Sequence, residues 1–381
     1  MTSTSRRTVR AAVVHEVGAP FVIEDIELAP TGPRDVRVKM AASGVCHSDL
    51  SVQKGAIPFM FPTVLGHEGA GVVVEVGDAV TRVVPGDHVV LTWMPACRRC
   101  FWCLRGQVML CEVGLAEALS GAYATVRGTP LVRGLGTATF GEETLVPEGE
   151  VVRVDPAVPL ELAALVGCAL ATGVGAVWNT AHVTPASTVV VVGCGGVGLS
   201  VIQGARLAGA ATIVAVDQVA SKLELAKTMG ATAVVDASTV DAVAAVREHT
   251  AGRGADFGFE VVGRASTIRT AFAAVRRGGT AVLVGAGSPA EEVSFSAFEL
   301  FVDAKTVIGC VYGSTDADRD FPVLVELVRQ GAIDAEGLVT RRIGLDDVND
   351  AFRAMEAGEV ARSVIVYDDN DGVGTMNGTE R

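Results

Sequence analysis

From Thr188 onward, short apolar runs alternate with stretches of helical length, and no other feature of the 381-residue chain constrains its fold as much. Thr188-Val-Val-Val-Val-Gly193 reads as a strand, followed by a glycine turn and a helix reaching about Gly209. The pattern then repeats: strand Ala211 to Asp217, helix 219–229, strand 232–236, helix 240–250, strand 256–262, helix 266–277, strand 280–285, and a last strand from Thr306 to Val311. Strands joined through helices cannot pair as tight hairpins; each helix crosses over and brings the next strand in parallel. The expectation is an α/β, doubly wound sheet of six parallel strands.

The first turn of this unit is Gly193-Cys-Gly195-Gly196-Val197-Gly198, a G-x-G-x-x-G run that follows a strand and opens a helix. In a chain with 44 glycines the run alone says little; that context makes it a dinucleotide-binding fingerprint. The first glycines allow a tight turn and close backbone approach to a pyrophosphate, and the free N–H groups of the helix start face the anion. Asp217 ends the next strand, where a carboxylate accepts hydrogen bonds from adenosine ribose hydroxyls and repels a 2′-phosphate. Gln218, not arginine, follows it. NAD is therefore expected rather than NADP. The competing account is an ordinary strand–turn–helix with a surface aspartate. Lys222 either reaches the ribose or is a solvated helix lysine.

The first half of the chain has another texture. Residues 9–40 alternate like short strands broken by Pro20, Pro30 and Pro33, and Gly71 to Val76 and His88 to Thr92 read as further strands. After Tyr312 come helices 320–330 and 346–357 and a strand 363–367, expected to return to this β-rich part. The tail from Asp368 is polar and acidic, and mobility is expected there.

Four of the eight cysteines form a compact set, Cys97-x2-Cys100-x2-Cys103-x7-Cys111. Four thiolates suit a closed, tetrahedral structural zinc site. An iron–sulfur cluster is the alternative, but bacterial ferredoxin spacing puts the fourth cysteine three residues on and before a proline; here it precedes Glu112. Arg98, Arg99 and Arg105 lie near enough in sequence to offset the charge of four thiolates; plain solvation is the competing account. Clustered cysteines of this kind are ligands rather than disulfides in a reducing compartment.

A formal charge of −13 argues against nucleic acid as a partner. The uncharged stretch Leu162 to Ala181 has the length of a membrane span, but its glycines, Thr172, Asn179 and Thr180 favour a buried helix. Met-Thr-Ser-Thr-Ser-Arg-Arg has no apolar run after it, so no secretory signal and a cytoplasmic location are expected.

A catalytic zinc needs three protein ligands and one open position. Cys46, His67 and Cys168 are candidates, although each taken singly fits an ordinary core residue. Their surroundings carry more. Cys46-His-Ser-Asp49, Gly66-His-Glu-Gly-x-Gly-x5-Gly77, Pro85-Gly-Asp-His-Val89, the four cysteines and the glycine turn occur in that order. The series resembles the zinc-containing medium-chain alcohol dehydrogenase family, from about Val9 to Val366. The resemblance implies a GroES-like β-rich catalytic domain over 1–168, a Rossmann domain over 169–311, and a return segment with the tail over 312–381. The active site would lie in the cleft between domains, with two zinc ions per chain and NAD.

By that resemblance Cys46, His67 and Cys168 hold the catalytic zinc, and Asp49 accepts the other ring N–H of His67, fixing its tautomer. Glu68 is a nearby carboxylate paired with Arg362. Ser48 accepts the alcohol proton and passes it toward the cofactor ribose. His47 and Arg362 lie on the cofactor side, and Thr172 packs against the nicotinamide. Many members carry a histidine where Ser51 stands, so the outer relay is expected to fall to His47 or water. Ile57, Trp93 and Phe140 line the alcohol pocket together with Ser48. The bulk of Trp93 favours flat aromatic or medium-chain primary alcohols and their aldehydes.

Alternatives remain. The glutathione-dependent formaldehyde dehydrogenase branch is also similar, but it uses charged residues where this chain has Ile57 and Leu115. A thiol-adduct substrate, or tightly bound NAD with an external acceptor, is the second reading. A zinc-stabilised Rossmann binding protein without catalysis is the third. A homodimer or tetramer is expected, built by pairing of the edge strand around 306–311.

Overall fold

The computed structural model describes residues 7–367; the tail from Asp368 lies outside the described residues. Three sheets organise them. A closed barrel contains Arg7–Val14, Val22–Leu28, Ala122–Val126, Thr129–Arg133 and Thr63–Val64. A second sheet runs Val151–Arg153, His88–Leu91, Glu68–Val76, Asp35–Val45, Ser363–Val366, Arg341–Ile343, with Glu143–Pro147 also pairing Asp35–Val45. The third is six parallel strands in the order Ala233–Asp236, Thr212–Asp217, Thr188–Val192, Ala255–Glu260, Val275–Leu283, Thr306–Gly309. Numbered along the chain that order is 3-2-1-4-5-6, the doubly wound dinucleotide-binding arrangement. The fold is thus the GroES-like and Rossmann pair expected from the sequence.

Thr188–Val192 explains itself residue by residue. Val189 and Val191 face one buried cluster, Val190 and Val192 the opposite one. Alternation across a central strand covered on both faces demands this valine run. Each buried valine contributes about 2 kcal/mol of hydrophobic stabilisation.

The uncharged stretch bends. Helix Leu160–Ala163 and the 3-10 turn Ala164–Gly167 precede a 52° break at Cys168. Helix Ala169–Gly175 follows and loosens into a π turn, Ala176–Thr180. No helix among the described residues is long and apolar enough to cross a membrane. Helix Ala169–Gly175 packs on helix Gly196–Leu207 behind the glycine turn. Strand Ser363–Val366 pairs antiparallel with Asp35–Val45, so the chain returns to the second sheet after the parallel one is complete.

Boundaries moved where local chemistry intervened. The helix expected over 266–277 ends at Ala274, because Val275 already pairs with Ala255. The last parallel strand stops at Gly309 rather than Val311; Tyr312, Gly313 and Ser314 then turn the backbone aside with φ of 53°, 66° and 49°. Helix Ala297–Asp303, opened by the Ser296 side chain on Glu299 N–H, gave no periodic signal.

Candidate active site and metal centres

Cys46 ends strand Asp35–Val45 and caps helix His47–Gln53. His67 immediately precedes strand Glu68–Val76, and Cys168 sits at the 52° break. Two neighbouring strands and one helix start therefore bring the three side chains together, all buried, with ligand atoms within 4.8 Å of one another. Asp49 Oδ1 lies 3.2 Å from His67 Nδ1 and accepts the Gly66 N–H at 2.9 Å. His67 Nε2 is buried without a hydrogen-bond partner. A buried unpaired imidazole nitrogen beside two thiols is costly unless something is bound there. The donor set, two sulfurs and one imidazole, is the one that a catalytic zinc takes.

The Cys46 thiol lies well below its ordinary range, chiefly through its hydrogen bond with Cys168, with His67 and Arg362 helping against desolvation. Cys168 is pushed well up by the same bond and by burial. Burial opposes a charged His67, but Asp49 and Cys46 outweigh it and raise its pKa.

Ser48 Oγ lies 3.9 Å from Cys46 Sγ, next to the ligand set. Glu68 is fully buried; Oε1 accepts the Ala169 N–H at 2.8 Å and Oε2 faces Arg362 Nη1 at 2.8 Å. Arg362 also donates to the Val45 carbonyl at 3.0 Å and leaves Nε unpaired. A Cβ on Gly196 would meet Arg362 Nη2 at 2.4 Å, so the guanidinium lies against the glycine turn. Desolvation lowers the pKa of His47, and Arg362 and Lys222 add to that against the pull of Cys46. His47, Lys222 and Arg362 thus share one cationic neighbourhood, with Arg362 against the glycine turn.

The turn has the form its glycines require. Gly193 adopts φ 101°, and a Cβ on Gly198 would lie 1.9 Å from the Gly193 carbonyl oxygen. Val197 stands between them in the first turn of helix Gly196–Leu207, and Gly195 faces open space. Asp217 Oδ2 accepts the Cys194 N–H at 2.7 Å, and Oδ1 accepts those of Gln218 and Val219 at 2.8 and 3.0 Å. A carboxylate has about four lone-pair sites, so it keeps capacity for a ligand hydroxyl. Thr172 is buried one turn after Cys168.

Of the residues expected to line the alcohol pocket, Trp93 sits edge-on to His67, centroids 6.1 Å apart. Ile57 is half-buried. Phe140 is fully buried against Phe21 and Phe352 in the barrel core, with Cδ1 beside Gly66. Tyr312, which the sequence did not single out, contacts Trp93 with centroids 4.7 Å apart.

The four remaining ligand candidates, Cys97, Cys100, Cys103 and Cys111, also have sulfurs within 4.8 Å of one another. Tetrahedral zinc with bonds of about 2.3 Å separates its sulfurs by about 3.8 Å; Cys100 and Cys111 Sγ are 3.8 Å apart. Arg98 and Arg105 do not offset the thiolates as expected. Arg98 turns away to Asp316 and Asp318, and Arg105 stacks on Phe101. Backbone N–H groups do so instead: Cys97 and Gly114 donate to Cys111 Sγ, and Cys100 donates to Cys97 Sγ. Cys97 is lowered to about 7, chiefly by the Arg99 N–H, while burial and neighbouring sulfurs push Cys103 up to about 12.

Comparison with known proteins agrees with this geometry. Residues 32–156 match the family model of the alcohol dehydrogenase GroES-like domain, and residues 196–330 match that of zinc-binding dehydrogenases. The chain is 39% identical to the S-(hydroxymethyl)glutathione dehydrogenase of Synechocystis, across 94% of this chain and 99% of that one. The chain belongs to the zinc-containing medium-chain alcohol dehydrogenase family. Alcohol dehydrogenase class-3 of Cereibacter sphaeroides is 37% identical, again across 94% of this chain and 99% of the relative. Benzyl alcohol dehydrogenase of Acinetobacter calcoaceticus superposes with a TM-score of 0.89 at 34% identity, covering 95% of this chain and 100% of that one. For the Burkholderia ambifaria zinc-binding-domain protein the TM-score is 0.90 at 35% identity, with 96% and 100% covered. In this oxidoreductase family, the four-cysteine cluster is of the structural-zinc kind, the Cys–His–Cys set of the catalytic-zinc kind, and NAD is the typical cofactor.

Proposed function

We propose that the chain is an NAD-linked dehydrogenase of primary alcohols, aromatic or medium-chain, and of the matching aldehydes. One observation carries this reading: the unpaired Nε2 of His67 beside two buried thiols, its tautomer fixed by Asp49. When bound there, zinc acts as a Lewis acid toward an alcohol oxygen, and NAD takes up the electrons of the oxidation.

The chain's own residues do the rest. Ser48 Oγ receives the alcohol proton and hands it toward the cofactor ribose. Ser51 passes protons only by exchange, so His47 or solvent completes the path. Gly193, Gly195, Gly196, Val197 and Gly198 admit the pyrophosphate, His47 and Arg362 face it, and Asp217 with Lys222 holds the ribose. Thr172 packs on the nicotinamide. Ile57 and Trp93 wall the alcohol pocket, and Phe140 backs it through Gly66. Domain boundaries at 168/169 and 311/312 go with this assignment. So does a cytoplasmic location, since all eight cysteines are free and seven are grouped as ligands.

A homodimer is part of the same reading. Phe298 and Phe301 are 74% and 82% exposed on helix Ala297–Asp303, which leads into the edge strand Thr306–Gly309. Sedimentation should give a dimer; a monomer at micromolar concentration refutes it.

The names of the glutathione-adduct relatives favour a second reading at least as strongly, oxidation of an S-hydroxymethyl thiol adduct. Apolar Ile57 and Leu115 weigh against it, for they offer nothing to the carboxylates of such a thiol. A panel of benzyl alcohol, octanol, and formaldehyde with glutathione or mycothiol, each with NAD and NADP, decides. The proposal requires the highest kcat/KM for benzyl alcohol or octanol with NAD; thiol-dependent formaldehyde oxidation as the best reaction overturns it.

A further inference from the structure

The segment leaving the parallel sheet is strained and pressed against the metal site. Tyr312, Gly313 and Ser314 follow one another with left-handed φ. For Tyr312 and Ser314 that conformation costs about 1 kcal/mol or more each, and such strain persists only where the surroundings impose it. Here they do. A Cβ on Gly313 would stand 2.3 Å from the Ala171 carbonyl and 2.7 Å from that of Thr172. Thr315 Oγ1 donates to Ala171 O at 3.1 Å, and the Ser314 and Thr180 hydroxyls lie 2.8 Å apart. The segment is thus fastened along the helix that begins at Cys168 and carries Thr172. Beyond it, Arg98 holds Asp316 with bonds of 2.7 and 2.6 Å.

Tyr312 is 3% exposed, and its hydroxyl donates to the carbonyl of Gly167, the residue before Cys168. The same hydroxyl lies 3.4 Å from Thr92 Oγ1, one residue before Trp93. Its ring leans on the Trp93 indole at 4.7 Å and 54°. From its place at the joint where the chain leaves the parallel sheet, one side chain therefore touches the backbone of a metal-ligand loop and the pocket wall.

We propose that Tyr312 is a positioning residue that sets Cys168 and Trp93 against that joint, through its bond to the Gly167 carbonyl. This rests on the reading of Cys46, His67 and Cys168 as the catalytic metal set. Removing the hydroxyl frees the Gly167 carbonyl and lets the Cys168 loop relax. Displacement of a reacting group on the scale of an ångström lowers turnover by one to two orders of magnitude.

The test is Tyr312→Phe in the full chain, with cobalt in place of zinc. The expected result is a shift of the thiolate–cobalt absorption bands of the catalytic site and a fall of about tenfold in kcat, with NAD affinity unchanged. Thr92→Val, which removes the weaker neighbour, is expected to shift the same bands less, and it decides the matter if the Phe variant does not fold. Unchanged bands and kcat, with only a lower Tm, make Tyr312 merely structural and overturn the proposal. Cys46→Ser separates the two readings: it must abolish the bands that Tyr312→Phe shifts. Bands that survive it place the metal elsewhere and overturn both.

Discussion

Arg362 and Glu68 form an ion pair buried on every side, 2.8 Å apart, with side chains 5% and 0% exposed. Burial raises Glu68 to about 7, against the pull of Arg362. Because Glu68 also takes the Ala169 N–H and Arg362 lies on Gly196, the pair ties the His67 strand, the Cys168 helix and the cofactor turn together. Breaking a buried pair from one side costs about 3–5 kcal/mol. Arg362→Ala should lose about that in denaturant unfolding, and isothermal titration should show weaker NAD binding. Arg362→Lys keeps the charge but not the fork of donors, so it should lose affinity with a smaller stability loss.

In the proposed function Asp217 sets the choice of cofactor. Its carboxylate already holds three backbone N–H groups, so replacing it by Ser unpairs the turn as well as removing the charge. The ratio of kcat/KM for NAD over NADP should fall by about tenfold or more. An unchanged ratio would show that the ribose is recognised elsewhere.

Glu150 makes stability depend on pH. It is fully buried, both carboxyl oxygens lack partners, and burial raises its pKa well above the usual range despite Arg133 nearby. A carboxyl whose folded pKa exceeds its unfolded value gives stability that is fully present below the unfolded pKa of about 4.3 and is lost as pH rises above it. Glu150→Gln should therefore raise Tm at pH 7 to 8, and the gain should vanish toward pH 4. Equal Tm for both proteins across that range contradicts this.

The parallel sheet was legible because its evidence is local. Strand Thr188–Val192 is buried on both faces and so is written as consecutive valines, and Gly193 and Gly198 are required by their own turn. The structural cluster was legible for the same reason, since its cysteines are near in sequence. Cys46, His67 and Cys168 were legible only through resemblance, because three separate elements bring them together. Strands Ala122–Val126 and Thr129–Arg133 escaped, being short and paired across a barrel. So did Tyr312, whose contacts at Gly167 and Trp93 are far away in the chain. Nearness in sequence to the cysteines did not fix where Arg98 points; Asp316, 218 residues on, did.

The most direct test of the two-site account is metal content, measured on the purified wild type, Cys97→Ser and Cys46→Ser, alongside benzyl alcohol oxidation. The expected result is two zinc ions per chain in the wild type and one in each variant, with Cys46→Ser folded but inactive. One zinc in the wild type, lost in Cys97→Ser and kept in Cys46→Ser, would contradict the catalytic site.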